Sequence, residues 1–157
     1  MLSDKAMSTL DRDAIAARIP HTGTMCLLDS ADRWNDESIR CTTESHRRSP
    51  HPLAAAGRLG IANTIEYAAQ AMALHGALSA AAIDRPRAGF LASVRGVEFF
   101  ADRLDDIAAP LTVEAERLSG DGNSVIYGFR VAAGERTLAQ GRAAVVLDAG
   151  ARLEQAS

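Results

Sequence analysis

The chain has 157 residues, a net charge of -3 and 47% hydrophobic residues, which suits one globular domain with its own core. The acidic balance argues against a nucleic acid or a membrane surface as partner, and no apolar run approaches the roughly 18 residues that a membrane span needs. Two cysteines are too few for a disulfide framework, and the first residues include acids instead of an apolar signal core. We therefore expect a cytoplasmic protein.

The first predicted elements are a short helix and two strands. Residues 1–10 are expected to be a disordered lead. Asp11 is a suitable N-cap for a helix that Pro20 ends. Apolar runs at 25–33 and 38–43, separated by turn residues, predict a β-hairpin.

A long loop and a long helix follow. Residues 44–60 are polar, basic and contain proline, and loops of this length are often functional. Residues 61–82 lack proline and are rich in alanine, so they predict one helix. At 100° per residue, Glu66 shares its face with small residues, which let the backbone lie close to a sheet or a partner, and we expect that face to be buried. The small residues are Ala62, Ala69, Ala73 and Ala77.

The second half of the chain predicts four strands, the last three joined by glycine-containing turns into a meander. The strands are expected at 88–99, 111–118, 124–132 and 137–148, before a flexible tail at 149–157. A single long helix among antiparallel strands is an α+β layout in which the sheet wraps around the helix. We therefore predict one hot-dog domain over residues 11–148.

The candidate chemistry lies where the loop meets the helix. His51 ends the basic part of the loop, and an imidazole can take or return a proton near neutral pH. Glu66 can supply the complementary acid. Free backbone N–H groups at Gly60 and Ile61 can polarise a carbonyl. This pairing suits the reversible removal of water beside a thioester carbonyl and calls for no metal or cofactor. His46 is an alternative base.

Several segments resemble the hot-dog 3-hydroxyacyl-[acyl-carrier-protein] dehydratases, closest to the branch associated with aryl-polyene-type pathways. Pro20-His21 and the following Leu-Leu-Asp of residues 27–29 are similar to the opening segment of that family. The most specific part is His51-Pro52-Leu53 with Gly60 and the Glu66-x-x-x-Gln70 pair. The resemblance runs from about residue 15 to residue 148.

The resemblance implies a role for each site residue. His51 is expected to be the base and Glu66 the acid that together convert 3-hydroxyacyl thioesters into trans-2-enoyl thioesters in fatty-acid or polyene-type biosynthesis. Gly60 and Ile61 are expected to offer amides to the substrate carbonyl. Gln70 is expected to hold Glu66 or the loop.

The resemblance also implies partners. The His and the Glu of one site are expected to come from different subunits, so a homodimer is implied, and pairing with a second hot-dog protein is an alternative. The acyl carrier protein is expected to dock on arginines at the mouth of the acyl tunnel, for which Arg47, Arg48 and Arg58 are candidates.

Two other functions stay open at the sequence level. Related hot-dog proteins use a carboxylate on this helix for thioester hydrolysis, so a thioesterase is the first alternative. A catalytically silent subunit that pairs with an active one is the second. His21 is expected to bond backbone near the first strand. His75 lies about 180° from Glu66 around the helix and is expected to be a core or surface histidine.

Overall fold

The fold is one antiparallel sheet with a single long helix against it. The computed structural model describes residues 9–21, 23–79, 89–121 and 123–147. Two α-helices, α1 (Arg12–Ala16) and α2 (Thr64–Leu78), are joined to six strands. The strands are β1 (Ser30–Trp34), β2 (Ser38–Thr43), β3 (Gly89–Phe99), β4 (Leu111–Gly120), β5 (Ser124–Ala133) and β6 (Arg136–Leu147). Neither helix is long and apolar enough to cross a membrane.

The sheet has the strand order β1-β2-β4-β5-β6-β3, and every neighbouring pair is antiparallel. Helix α2 packs against β2, β3, β4 and β5. Side chains alternate between the helix side and the outside, as a strand period of two requires. On β4, for example, Leu111, Val113 and Ala115 are buried. The predicted α+β layout, including the meander of β4, β5 and β6, is confirmed.

The first strand begins later than predicted. Residues 26–29 continue the apolar run, but only Ser30 begins the pairing with β2. The backbone of Leu27 is instead bonded to side chains. Its N–H donates to Gln70 Oε1, and its carbonyl accepts from Ser45 Oγ. This stretch therefore anchors other elements and does not extend the sheet.

The face of α2 that carries Glu66 is largely open within this chain. Ala62 and Ala77 are exposed, and Ala69 and Ala73 are half-buried. The sheet covers the opposite side of the helix, which carries the larger side chains. Burying larger apolar side chains removes more apolar surface from water. The buried helix residues include Tyr67, Ala68, Ala71, Met72, Leu74 and His75. The sheet of this chain therefore does not bury the alanine face, and its burial against a partner stays a prediction.

His75 ties α2 to the sheet from inside the core. The side chain is 1% exposed, its Nδ1 lies 2.7 Å from Tyr127 Oη on β5, and its Nε2 lies 2.9 Å from the carbonyl of Asn35. Burial lowers the pKa of His75 below its ordinary 6.5. The prediction that His75 belongs to the core and not to the site of Glu66 is confirmed.

The buried His75 predicts a loss of stability in mild acid. Above pH 6.5 the ring is neutral in both states, but below it the unfolded chain takes up a proton that the folded chain resists. Stability therefore falls as pH drops from 7.5 to 5.5, and His75→Gln should reduce this fall by up to about 1.4 kcal/mol. Urea unfolding of the wild-type protein and of His75→Gln at the two pH values measures this difference in the fall. Equal pH slopes for the two proteins contradict the prediction.

Candidate active site

Glu66 lies in the first turn of α2 with its carboxyl group partly open to solvent. A short 3-10 turn (Ile61–Asn63) leads into the helix. One oxygen of the carboxylate, Oε2, lies 3.0 Å from His21 Nε2 and 3.0 Å from Gln70 Nε2. The side chains of His21 and Glu66 are 27% and 32% exposed. The carboxyl group is thus anchored through one oxygen, while its face of the helix remains accessible.

Gln70 is the buried hub of this cluster. It is 0% exposed, and its amide nitrogen donates to the carbonyl of Met25 at 2.8 Å as well as to Glu66. Its Oε1 accepts the N–H of Leu27 at 2.9 Å. Both N–H donors of the amide are used, so its orientation is fixed by its partners. Gln70 therefore joins α2, the 25–27 segment and the acid.

His21 was expected to bond backbone, and the structure places it on Glu66 instead. The turn that carries it is tied to α1 by Arg12, which donates to the carbonyls of Gly23 at 2.7 Å and Cys26 at 2.9 Å. No periodicity or spacing connects residue 21 with residue 66. The Pro20-His21 part of the family resemblance was the one signal that pointed to this position.

His51 belongs to a different hydrogen-bond chain. Its Nδ1 accepts the N–H of Leu53 at 3.0 Å, and its Nε2 lies 3.1 Å from Tyr67 Oη. Tyr67 Oη lies 2.8 Å from Ser45 Oγ, which donates to the carbonyl of Leu27. Burial raises the pKa of Tyr67 to about 12, so the phenol keeps its proton.

These contacts determine the tautomer of His51. Burial lowers the pKa of His51, which favours the neutral ring. Because Nδ1 accepts the Leu53 N–H, the proton of the neutral ring sits on Nε2 and is donated to Tyr67. A base needs a free lone pair. His51 can therefore act as a base only after the Leu53 N–H no longer occupies Nδ1. That His51 is the base stays a prediction, and it requires this change.

Within one chain, His51 and Glu66 do not contact each other, since His51 bonds Leu53 and Tyr67 and Glu66 bonds His21 and Gln70. His46, the alternative base, is 2% exposed and its Nε2 lies 3.0 Å from the carbonyl of Ile107. Its ring is therefore held by the segment before β4 and not by Glu66.

The two backbone amides expected near the substrate differ in availability. The Ile61 N–H donates to the carbonyl of Asp102 at 3.0 Å, so the expectation that it is free for a substrate does not fit this structure. This bond is part of the antiparallel bridge between Gly60 and Arg103. The Gly60 N–H donates to no group of the described residues, and Gly60 is exposed. Of the two amides, Gly60 is the available one.

The three candidate docking arginines are unequal. Arg48 is held by Asp29 through two bonds of 2.8 Å. Although burial opposes ionisation of Asp29, the bonds from Arg48 and from the Glu44 N–H lower the pKa of Asp29. Arg47 pairs with Glu44 at 3.1 Å. Arg58 is exposed on the turn before Gly60, which makes it the least engaged of the three.

Comparison with protein families identifies the chain. The ApeP-like family, described as ApeP dehydratase, matches residues 13–155. Because the match covers most of the 157 residues, the chain belongs to the ApeP-like dehydratase family. No protein of curated function matches the sequence.

Solved structures confirm the hot-dog fold. The dehydratase heterocomplex ApeI:P from Xenorhabdus doucetiae matches with a TM-score of 0.75 at 20% identity, covering 93% of this chain and 96% of that chain. A thioesterase from Haemophilus influenzae matches with a TM-score of 0.60 at 11% identity, covering 89% and 92%. A hypothetical thioesterase with coenzyme A from Streptococcus pneumoniae matches with a TM-score of 0.54 at 14% identity, covering 74% and 83%.

The position of Gln70 predicts a large effect of removing its amide. Gln70→Leu leaves the Leu27 N–H and the Met25 carbonyl without their partner, which should lower the free energy of unfolding by about 1–3 kcal/mol. Gln140→Leu is a matched control, because the half-buried Gln140 also donates to a glutamate, the exposed Glu98, without its side chain bonding any backbone group of the described residues. The free energy of unfolding of Gln140→Leu should stay within about 0.5 kcal/mol of the wild-type value. Urea unfolding that gives equal losses for both variants contradicts the assigned role.

Proposed function

We propose that this chain is a subunit of a hot-dog dehydratase that converts 3-hydroxyacyl thioesters on an acyl carrier protein into trans-2-enoyl thioesters, in fatty-acid or aryl-polyene-type biosynthesis. Membership of the ApeP-like family supports the reaction class. The observation that carries the proposal is the anchored but accessible carboxyl group of Glu66 on an alanine-lined helix face. Such a face allows a second subunit to approach closely.

The proposed reaction uses an imidazole and Glu66. The imidazole removes the proton from the carbon beside the thioester carbonyl, and that electron pair forms the new double bond. The bond from the next carbon to its hydroxyl group breaks, and Glu66 protonates the departing oxygen, which leaves as water. The amide of Gly60 is available for the oxygen of the thioester carbonyl.

The base is proposed to come from a neighbouring subunit. No hydrogen bond or ion pair joins His51 and Glu66 of one chain, which is consistent with a site that two chains assemble. In a homodimer the base is His51 of the second copy. In a mixed pair it is a histidine of a second hot-dog protein, an arrangement supported by the heterocomplex ApeI:P to which this fold is similar. The tautomer of His51 favours the mixed pair, because this chain then supplies the acid without needing its own base.

Activity measurements on carrier-bound 3-hydroxyacyl substrate test the proposal. We expect wild-type turnover, read as enoyl absorbance with the thioester mass intact, to fall at least about 100-fold in Glu66→Gln. Glu98→Gln is the control, because this exposed glutamate also binds a glutamine but lies on β3. A Glu66→Gln protein that keeps wild-type turnover contradicts the proposal, and so does release of free acid and thiol, which indicates a thioesterase.

Mixing inactive variants distinguishes the two pairings. If two copies share each site, Glu66→Gln and His51→Ala mixed in equal amounts should recover about a quarter of wild-type activity, since half of the dimers then hold one intact site. If the chain alone is silent while folded, the assay is repeated with a co-expressed second hot-dog subunit. Activity that appears only then, and that needs Glu66, supports the mixed pair. Activity of the pair that is indifferent to Glu66 makes this chain the silent subunit.

A further inference from the structure

We propose that His21 is a positioning residue of the dehydration reaction, which selects the oxygen of Glu66 that carries the acidic proton. This inference rests on the function proposed above and adds a residue to it. The direct observation is the 3.0 Å contact between His21 Nε2 and Glu66 Oε2. The same oxygen also accepts the N–H of Gln70 at 3.0 Å.

The two nitrogens near Oε2 make the oxygens of Glu66 unequal. Oε2 accepts the N–H of Gln70 and also lies 3.0 Å from His21 Nε2, whereas Oε1 has no hydrogen-bond partner among the described residues. In the proposed arrangement His21 carries its proton on Nε2, so Oε2 faces two N–H groups and is the carbonyl oxygen of the protonated acid, and the acidic proton sits on Oε1. Oε1 is therefore the atom that faces a substrate hydroxyl.

The same contacts stabilise the product of proton transfer. When the Oε1–H bond breaks, the proton joins the departing hydroxyl and the electron pair of that bond stays on the carboxylate. Hydrogen bonds to a charged acceptor are stronger than those to a neutral one, so the bond from Gln70 and the attraction of the His21 ring nitrogen for Oε2 both strengthen as Glu66 loses its proton. After the product leaves, the imidazolium releases its proton to solvent and solvent returns one proton to Glu66.

The surroundings of His21 suit a fixed donor and not a mobile surface side chain. The segment that follows His21 is tied to α1 by Arg12, which donates to the carbonyl of Gly23, and to α2 by Gln70, which donates to the carbonyl of Met25. The other ring nitrogen, Nδ1, is buried without a hydrogen-bond partner among the described residues. Within that part of the chain, Glu66 is thus the polar group that the ring contacts.

Kinetics on the active form of the protein, alone or with its second subunit, test the proposal. His21→Ala should lower kcat about 10- to 100-fold with little change in KM, because the lost bond acts mainly in the transition state. His21→Gln, which can place an amide N–H near Nε2, should recover most of kcat. His21→Ala with kcat within about twofold of wild type overturns the proposal, as does a His21→Gln protein no better than His21→Ala.

Nuclear magnetic resonance tests the contact independently of activity. In protein with ¹⁵N-labelled histidines, the Nε2 signal that disappears in His21→Gln is assigned to His21. Glu66→Ala should shift this signal, whereas the control Glu98→Ala should not. An unmoved signal overturns the proposal even if the protein is an active dehydratase, while a shifted signal in a protein without dehydratase activity preserves the contact and refutes the proposed function instead.

Discussion

The structure of the site depends on one buried amide, that of Gln70. A primary amide inside a core must use its two donors and its acceptor, because unpaired polar groups are costly there. Gln70 meets this demand with Met25, Leu27 and Glu66. One side chain thereby fixes the segment before β1 and the acid on α2 relative to each other.

This requirement also explains why β1 starts late. The residues before Ser30 have the apolar character of a strand, but the backbone of Leu27 is bonded to Gln70 and Ser45. Ser45 in turn contacts Tyr67, which binds His51. The two candidate catalytic side chains are therefore supported from the same short segment, although they do not touch each other.

Within one chain, the side chain of Glu66 is arranged for its proposed role as the acid, whereas that of His51 is not arranged for the role of base. Glu66 is anchored through Oε2 and open at its helix face, as an acid for an incoming substrate needs to be. His51 donates its Nε2 proton to Tyr67 and accepts at Nδ1, which is the opposite of what a base at Nε2 needs. An incomplete site of this kind fits a protein that works with a second hot-dog subunit.

The sequence by itself determined the elements and the neighbourhood of the chemistry. Period-two alternation, glycine turns and an alanine-rich helix predicted the sheet, the meander and α2, because these signals are local. The alanine-rich helix face and the loop before it pointed to Glu66, and the resemblance to dehydratases added the role of Gln70. Only the tertiary structure decided the exposure of the alanine face, the occupied amide of Ile61 and the contact of His21 with Glu66. Each of these depends on hydrogen bonds and packing between residues far apart in the chain, which no local pattern records.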